Sequence, residues 1–493
     1  MISKLKKIFH YYKYILKANF FISKKKFLII FLLTLLSLFS SFIIIYTSIP
    51  FLDFMLTKDP ENHQKITKSL SYFLRNINLE PSFIFYAGTF FFSILFKSIT
   101  DVVYSFYVTK CKYFYMQMEC LTLNKKIFNM SQNFQIKYST SRLLNIYTVE
   151  IERSSEVLSH LLLSMNFFLQ LGIILGTTLY LNFELTSLFF LILFVLISPI
   201  ILINYYTIKL GIKATYVTNN HYKALINNIS YLKFITVHGI SSIADKTFIK
   251  NFIPYKNNKL SLVIVGGVTG AFLQPMGILA VIISLYIHSG VNQNFTILGA
   301  IVWGLTRALG PINSLIAGLN VVSMEIPAFK NLYEVKNNIV DLEIVQGNKV
   351  IDNLDKITFK KISFKHNDKI IFNNLNFEVS RGEKIALLGD TGAGKSTLLD
   401  ILTNVVKIDA GERLVNDVEY KDINFNEFRG KISYVSQSLP MLDATIREYF
   451  KFYKENIEDG EILTYLKFMN CDQFLKMISA DILDMYMGDK GMK

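Results

Sequence analysis

Residues 389–396 have the residue types and spacing of a loop that binds phosphate groups. Gly389, Gly394, Lys395 and Ser396 fit the pattern Gly-x-x-x-x-Gly-Lys-Ser. Glycines let the backbone wrap an anion without Cβ clashes, the lysine reaches the β- and γ-phosphates, and the serine hydroxyl binds Mg²⁺. We therefore predict that a nucleoside triphosphate binds the consecutive residues Gly389, Asp390, Thr391, Gly392, Ala393, Gly394, Lys395, Ser396 and Thr397.

The segments on either side of the loop are those that a phosphate site requires. Ile385–Leu388 is a short, fully apolar run that predicts a buried strand. Thr397–Thr403 carries four apolar residues at helical spacing and predicts a helix. A strand, a glycine-rich turn and a helix aim backbone N–H groups at phosphate oxygens. These flanking elements disfavour the alternative of a chance match on an ordinary turn.

The composition indicates a membrane protein. Of the 493 residues, 51% are hydrophobic and only 18% are charged, and the mean hydropathy of +0.34 is too high for an ordinary soluble protein. A net charge of +14 is also compatible with nucleic-acid binding. The lysines lie mostly beside apolar runs, however, so we interpret them as orientation signals and predict no nucleic-acid partner. The three cysteines lack metal or redox spacing and are predicted to be unpaired thiols in reducing surroundings.

The first 26 residues form a basic segment with eight lysines, no acid and interleaved aromatic and aliphatic residues. This pattern predicts a segment that lies on the inner membrane surface, with a disordered basic tail as the alternative. An uncharged apolar run follows, which is too long for a signal peptide and has no small-residue cleavage site after it. Six apolar runs are predicted to cross the lipid bilayer, which takes about 20 residues each. They are Phe27–Ile49, Ser82–Val108, Val157–Leu181, Thr186–Tyr206, Leu260–His288 and Phe295–Val322.

Charged residues occur inside two of these spans. Lys97 and Asp101 are four residues apart in the second span, so they share a helix face and can pair. Arg307 lies near the middle of the sixth span. An intramembrane arginine indicates function by default, and we predict that Arg307 lines a central cavity and favours an anionic substrate. A structural ion pair or contact with water is the alternative for Arg307.

The connections between the spans alternate between long and short. Thr109–Glu156 and Thr207–Lys259 are long and basic, whereas Asn182–Leu185 and Ser289–Asn294 are short. Because positive loops stay in the cytoplasm, we place the N-terminus, both long loops and the phosphate-binding domain on that side. The chain is therefore predicted to be an integral protein of the plasma (inner) membrane.

Six spans, two long cytoplasmic loops and a phosphate-binding domain together resemble the ABC transporters of the exporter type, in the form of a half-transporter. The resemblance implies ATP and Mg²⁺ as cofactors and a second half-transporter, identical or different, as partner. It also implies that each long loop ends in a coupling helix that contacts a nucleotide-binding domain. These helices are expected near Phe134–Asn145 and Tyr222–Ile235.

The chain therefore divides into four predicted regions. Residues 1–26 form the surface segment, 27–325 the transmembrane domain, 326–350 a linker and 351–493 part of the nucleotide-binding domain. The fold class is a multi-domain membrane protein, with an all-α six-helix domain before an incomplete α/β P-loop domain. Met324–Val335 predicts a last helical extension, and alternating apolar residues from Ile357 onward predict strands. Turns are predicted at Asn373–Asn374 and at Arg381–Glu383.

Two further residues take roles from the resemblance. His366 falls on the slot of the aromatic residue that stacks on adenine, and an exposed loop histidine is the alternative. Gln437 matches the glutamine that contacts Mg²⁺ and the attacking water and moves with the coupling helices. It follows Ile432–Val435, which predicts a strand, and ligands of α/β domains bind at such strand ends.

The sequence departs from the family after Gln437. The 493 residues contain no LSGGQ signature, no Walker B acid with its catalytic glutamate, and no switch histidine after them. ATP hydrolysis needs these groups to polarise water and to stabilise charge on the γ-phosphoryl. We expect these residues alone not to hydrolyse ATP, to fold poorly at the C-terminal end and to leave apolar faces uncovered. A fragment of a longer chain and a gene that stops here are both compatible with this departure.

The predicted function is ATP-driven export, in which a dimer of half-transporters alternates the access of a central cavity. The substrate is not predicted. A catalytically dead nucleotide-binding subunit, or the product of a decaying gene, is the first alternative. A membrane-anchored GTPase is disfavoured because the sequence has no Asn-Lys-x-Asp guanine motif.

Overall fold

A computed structural model describes residues 24–56, 63–76, 78–128, 140–287, 295–340, 347–366, 369–435, 442–471 and 482–487. These residues divide near residue 345 into a helical unit and a second, mixed unit. Most of the predicted surface segment 1–26 lies outside the described residues, as do residues 341–346 of the predicted linker and the short connection Ser289–Asn294.

Helices make up the first unit. They are α1 (Lys24–Leu56), α2 (Lys65–Asn76), α3 (Phe83–Phe128), α4 (Thr140–Asn145), α5 (Ile151–Leu181), α6 (Phe183–Ser230), α7 (Leu232–Val237), α8 (Ser241–Ile287) and α9 (Phe295–Val340). A π-helical turn, Ile146–Glu150, joins α4 to α5. The six predicted spans correspond to α1, α3, α5, α6, α8 and α9, and differ from them by one residue at Ser82 and at His288, which lies outside the described residues. Over the described residues, five of these helices are long and apolar enough to cross a membrane, and α6 contributes the shorter apolar stretch Phe183–Pro199.

The packing of α1 is inverted relative to that of a soluble helix. Ser37 and Ser40 are fully buried, whereas Phe27 and Phe39 are 61% and 59% exposed. Ser40 forms a hydrogen bond of 3.1 Å with Thr100 on α3. Small polar residues between helices and aromatic residues facing outward are typical of helices packed in lipid. The arrangement therefore confirms an integral membrane protein.

Several helices continue well beyond their apolar spans. The predicted extension Met324–Val335 is confirmed, because α9 is helical to Val340. Outside the apolar spans, Arg153 of α5 forms an ion pair with Glu325 of α9 and donates to Thr215 Oγ1 on α6 at 3.0 Å. One side chain thus links three helices.

The regions predicted as coupling helices differ in how much is described. Only Thr140–Asn145 of the first one is described, and it forms the short helix α4. The second predicted coupling helix, Tyr222–Ile235, is interrupted at Tyr231, where α6 has ended and α7 follows. Both regions are helical where they are described, and their coupling role stays a prediction.

The second unit opens with a four-stranded antiparallel sheet in the order β2-β1-β3-β4. The strands are β1 (Lys356–His366), β2 (Lys369–Ser380), β3 (Ala410–Val415) and β4 (Val418–Glu419). The alternation predicted from Ile357 is confirmed, because every second residue at each end of β1 is buried. The predicted turn at Arg381–Glu383 is also confirmed, with Gly382 at a φ of +84°.

The turn predicted at Asn373–Asn374 is wrong. Both residues lie inside β2, and Asn374 has a left-handed φ of +54° beside register shifts in the pairing with β1. Asparagine tolerates this backbone conformation, so the same residue type that favours a turn here forms an irregularity within a strand.

Two other predicted strands do not form in the described structure. Ile385–Leu388 and Ile432–Val435 belong to no ladder among the described residues. Leu388 is 93% exposed and Val435 is 78% exposed, so the expectation of uncovered apolar residues is confirmed. A strand needs a neighbour to accept and donate its hydrogen bonds, and the antiparallel sheet does not reach either segment.

The remaining helices of the second unit are α10 (Lys395–Leu402), α11 (Phe425–Arg429), α12 (Ile446–Tyr453) and α13 (Asp459–Phe468). A small core of buried side chains holds α12 and α13 to the segment Ile482–Asp484. The helix predicted over Thr397–Thr403 corresponds to α10, which begins two residues earlier and ends at Leu402.

Candidate functional site

The predicted phosphate loop adopts a backbone that requires glycine. Gly389, Gly392 and Gly394 have φ angles of +153°, +86° and +94°. Gly394 is the N-cap of α10 in a left-handed conformation, and no side chain caps this helix end. The first N–H groups of a helix have no intrahelical acceptor, so those of α10 remain available to an anion.

Gly394 also packs tightly against β2. A Cβ at this position would lie 2.7 Å from Ile371 Cγ2 and 3.0 Å from Phe372 Cζ. Any larger residue would push the loop away from the sheet. The second glycine of the pattern is therefore needed for two reasons, namely its left-handed backbone and its lack of a side chain.

Lys395 is folded back across the loop. Its Nζ donates to the carbonyl oxygens of Gly389 at 2.5 Å and Asp390 at 3.0 Å. The N–H of Ala393 donates to the same Asp390 carbonyl at 3.1 Å, which closes the turn. Ser396 is exposed at the start of α10. A cation, a free hydroxyl and unpaired N–H groups around one turn fit the phosphates of a nucleotide.

Three side chains that the sequence analysis did not single out hold the C-terminal end of α10. Arg413 donates to the carbonyl of Ile401 at 3.3 Å, Tyr420 to that of Leu402 at 3.1 Å, and Arg429 to that of Thr403 at 3.3 Å. Burial lowers the pKa of Arg413 to about 10, which leaves it charged at neutral pH. Cations at a helix C-terminus favour the helix dipole and so fix the loop at its other end. No sequence pattern links these three residues to the end of α10, so their contact with it could not be predicted.

His366 lies at the exposed end of β1, where it pairs in register with Lys369 of β2. The next residues of β2, Ile371 and Phe372, are those that touch Gly394. The strand that carries His366 is thus the neighbour of the strand that supports the phosphate loop. Gln437 lies outside the described residues, so its role stays a prediction.

The helical unit contains a second candidate site, a cavity of about 240 Å³ between α1, α3, α5 and α9. Arg307 lines it, together with Lys97 and Asp101. The pairing predicted for these two residues is confirmed, with Lys97 Nζ 2.5 Å from Asp101 Oδ1. Ser37 and Gln170 join this pair through hydrogen bonds. Neither residue was predicted, because lone polar residues in apolar runs carry no spacing signal.

Known proteins resemble this chain in sequence and in fold. The sequence model described as ABC transporter matches residues 372–482, which include the phosphate loop. A bacterial Atm1-family ABC exporter, solved with ATP bound, superposes with a TM-score of 0.74 over 95% of this chain and 81% of its own, at 15% identity. The chain thus has the fold of an ABC exporter, and its residues 372–482 match an ABC transporter domain.

Two curated ABC transporter ATP-binding proteins are similar over the membrane part as well. YwjA of Bacillus subtilis is 23% identical over 75% of this chain, and MG015 of Mycoplasma genitalium is 24% identical over 61%. The chain spans 66% and 55% of the length of these two relatives. The expected resemblance to exporter-type ABC half-transporters is therefore confirmed, as is a helical membrane domain followed by a nucleotide-binding domain.

Proposed function

We propose that this ABC transporter chain binds ATP with Mg²⁺ and acts as one half of a dimeric exporter. The observation that carries the proposal is the phosphate loop, which combines left-handed glycines, a helix N-terminus without a side-chain cap and a lysine ammonium group at one turn. ATP supplies the free energy for transport, and the helical unit supplies the path across the plasma membrane. The second half-transporter is an identical or a related chain.

Each residue of the loop has a distinct task in this proposal. Lys395 leaves the carbonyls of Gly389 and Asp390 and moves to the β- and γ-phosphates, which are stronger acceptors because they are charged. The hydroxyl of Ser396 is a ligand of Mg²⁺, and the N–H groups at the start of α10 bind phosphate oxygens. His366 stacks on adenine, and Gln437 contacts Mg²⁺ and the attacking water.

The orientation of the protein follows from its charges. The second long loop carries eight lysines and one acid between Thr207 and Lys259, and α6, α7 and α8 hold this loop in helices. Positive segments of this kind remain in the cytoplasm, where ATP is available. We accordingly place the N-terminus, both long loops and the nucleotide-binding domain on that side of the membrane.

Replacing Lys395 with alanine tests the proposal directly. In detergent-purified protein, Lys395→Ala is expected to weaken binding of a fluorescent ATP analogue about tenfold to a hundredfold, since the ammonium ion makes charge-assisted hydrogen bonds to phosphate. Lys451→Ala is the matched control, because Lys451 is an exposed lysine of the same unit on α12. The control should bind the ATP analogue with the affinity of the unchanged protein. Chelation of Mg²⁺ should weaken the binding of the analogue to the control and to the unchanged protein. Equal affinity of the two alanine variants would show that the loop does not bind the nucleotide.

A further inference from the structure

The cavity in the helical unit is built from four helices that are distant in sequence. Its walls include Lys97, Asp101, Gln170 and Arg307. Three of these residues carry formal charges, and they lie at membrane depth within the predicted spans. A charged side chain at this depth costs free energy, and such residues mark substrate or ion pathways. The net charge of the cavity therefore indicates which ligands it favours.

The first cation of the cavity is already neutralised. Lys97 Nζ donates to Asp101 Oδ1 at 2.5 Å and to Ser37 Oγ at 3.0 Å. Gln170 Nε2 also donates to Ser37 Oγ, at 2.9 Å. Only 5% of the Lys97 side chain is exposed, against 41% for Asp101. This pair contributes no net charge to the cavity and is fixed by its neighbours.

The second cation has no such partner. Among the described residues, no acceptor lies within hydrogen-bond or ion-pair distance of the Arg307 guanidinium, and its side chain is exposed to the cavity. The three charged groups therefore leave the cavity with a net charge of +1. An unpaired guanidinium at this depth favours a bound anion, to which it can donate several hydrogen bonds in one plane.

Pro311 lies one turn after Arg307 on the same helix. Proline has no N–H, so the carbonyl of Arg307, four residues earlier, loses its usual helical donor. Apolar side chains, among them Ile44, Phe167 and Ile174, line the same space. The cavity thus presents a cation next to an aliphatic and aromatic surface.

We propose that this cavity binds the negatively charged head group of an amphipathic substrate, with Arg307 as the anion-binding residue. The inference rests on the proposed transport function, because it names the class of substrate that the exporter takes up. The volume of the cavity is about 240 Å³. That space holds a head group and the first carbons of a chain, and the rest of the substrate lies outside it.

The chain contains its own reporter for this site. Trp303 is the single tryptophan of the protein and lies four residues before Arg307, so both share one face of α9. Full-length protein in nanodiscs of phosphatidylcholine can be titrated, in the absence of ATP, with octyl sulfate, octyltrimethylammonium or octanol below micelle concentrations. We expect a saturable change in tryptophan fluorescence with octyl sulfate, and affinity at least about tenfold weaker for the cationic and neutral probes. Equal response to all three probes would overturn the proposal.

Substitutions separate a role in binding from a role in folding. Arg307→Gln is expected to weaken octyl sulfate binding about tenfold or more, whereas Arg307→Lys should stay within about threefold because the charge is kept. Asp101→Asn raises the net charge of the cavity and should tighten binding several-fold, a gain that misfolding cannot produce. The matched control is Arg75→Gln, which removes an exposed arginine of α2 outside the cavity and should change nothing. Unchanged affinity of Arg307→Gln would contradict the assignment.

The head group can belong to a membrane lipid or to a free amphiphile. Nanodiscs that contain phosphatidylglycerol distinguish the two sources. If lipid is the ligand, phosphatidylglycerol itself changes the fluorescence and competes with octyl sulfate, and Arg307→Gln abolishes both effects. If the ligand enters from water, octyl sulfate binds equally in both kinds of nanodisc. Because these titrations contain no ATP, their failure together with normal nucleotide binding would reject this inference alone.

Discussion

The two units of the molecule differ in which side chains are buried and which are exposed. In the helical unit, polar side chains such as Ser37 and Lys97 are buried and hydrogen-bonded to neighbouring helices. In the mixed unit, apolar side chains such as Leu388 and Val435 are exposed to solvent. A helix satisfies its own backbone and needs only a face to pack, whereas a strand needs a partner for every hydrogen bond. A helix can therefore form from its own residues, whereas a strand forms only where another strand lies beside it.

The largest effect is expected from breaking the contact between three helices at Arg153. Arg153→Met leaves the carboxylate of Glu325, whose side chain is 9% exposed, without its cation. Breaking one side of a buried pair costs about 3–5 kcal/mol, so thermal unfolding in mild detergent should occur at a clearly lower temperature. The matched control is Lys330→Met, which opens the exposed pair Lys330–Glu334 on α9 and should cost less than about 1 kcal/mol.

A double variant sharpens this test. Adding Glu325→Gln to Arg153→Met removes the buried charge, and most of the lost stability should return. If the double variant is no more stable than Arg153→Met, the three-helix contact depends on packing of the arginine and not on its charge.

A smaller effect is expected at Gly211, where α6 lies against the backbone of α9. A Cβ at Gly211 would lie 2.4 Å from the carbonyl oxygen of Met324, which is a backbone atom and cannot turn aside. Gly211→Ala should therefore destabilise the helical unit by about 1–3 kcal/mol. Gly172→Ala on α5 is the control, because a Cβ there meets nothing within 4 Å. Identical melting of the two variants would mean that these helices are farther apart than the structure shows.

The smallest effect is expected in the uncovered segment of the mixed unit. Leu388→Ser replaces a side chain that is 93% exposed, so the change in unfolding free energy should stay below about 0.5 kcal/mol. Ile362→Ala, at a fully buried position of β1, should cost about 2–5 kcal/mol. Comparable losses in both variants, measured by the same detergent melts, would show that Leu388 is covered by a neighbour in the protein.

These contrasts also explain which features could be predicted from the sequence. The spans, the Lys97–Asp101 pair and the phosphate loop depend on residues within a few positions of one another, and all three were predicted. Ile385–Leu388 has the composition of a strand, but a strand is decided by residues far away in the chain, so this prediction was wrong. The contact of Arg413 with the end of α10 and the hydrogen bonds of Gln170 arise only when distant segments meet. No local sequence pattern predicts such contacts.

The length of α3 has a mechanical consequence. Its 46 residues extend over about 69 Å without an internal proline, whereas the hydrocarbon layer is about 30 Å thick. About 39 Å of straight rod therefore projects from the layer. A tilt of about 15°, similar to known rigid-body rotations in proteins, would swing the far tip by about 10 Å. The helix is thus a lever arm, in which a slight rocking inside the lipid becomes a wide stroke outside it.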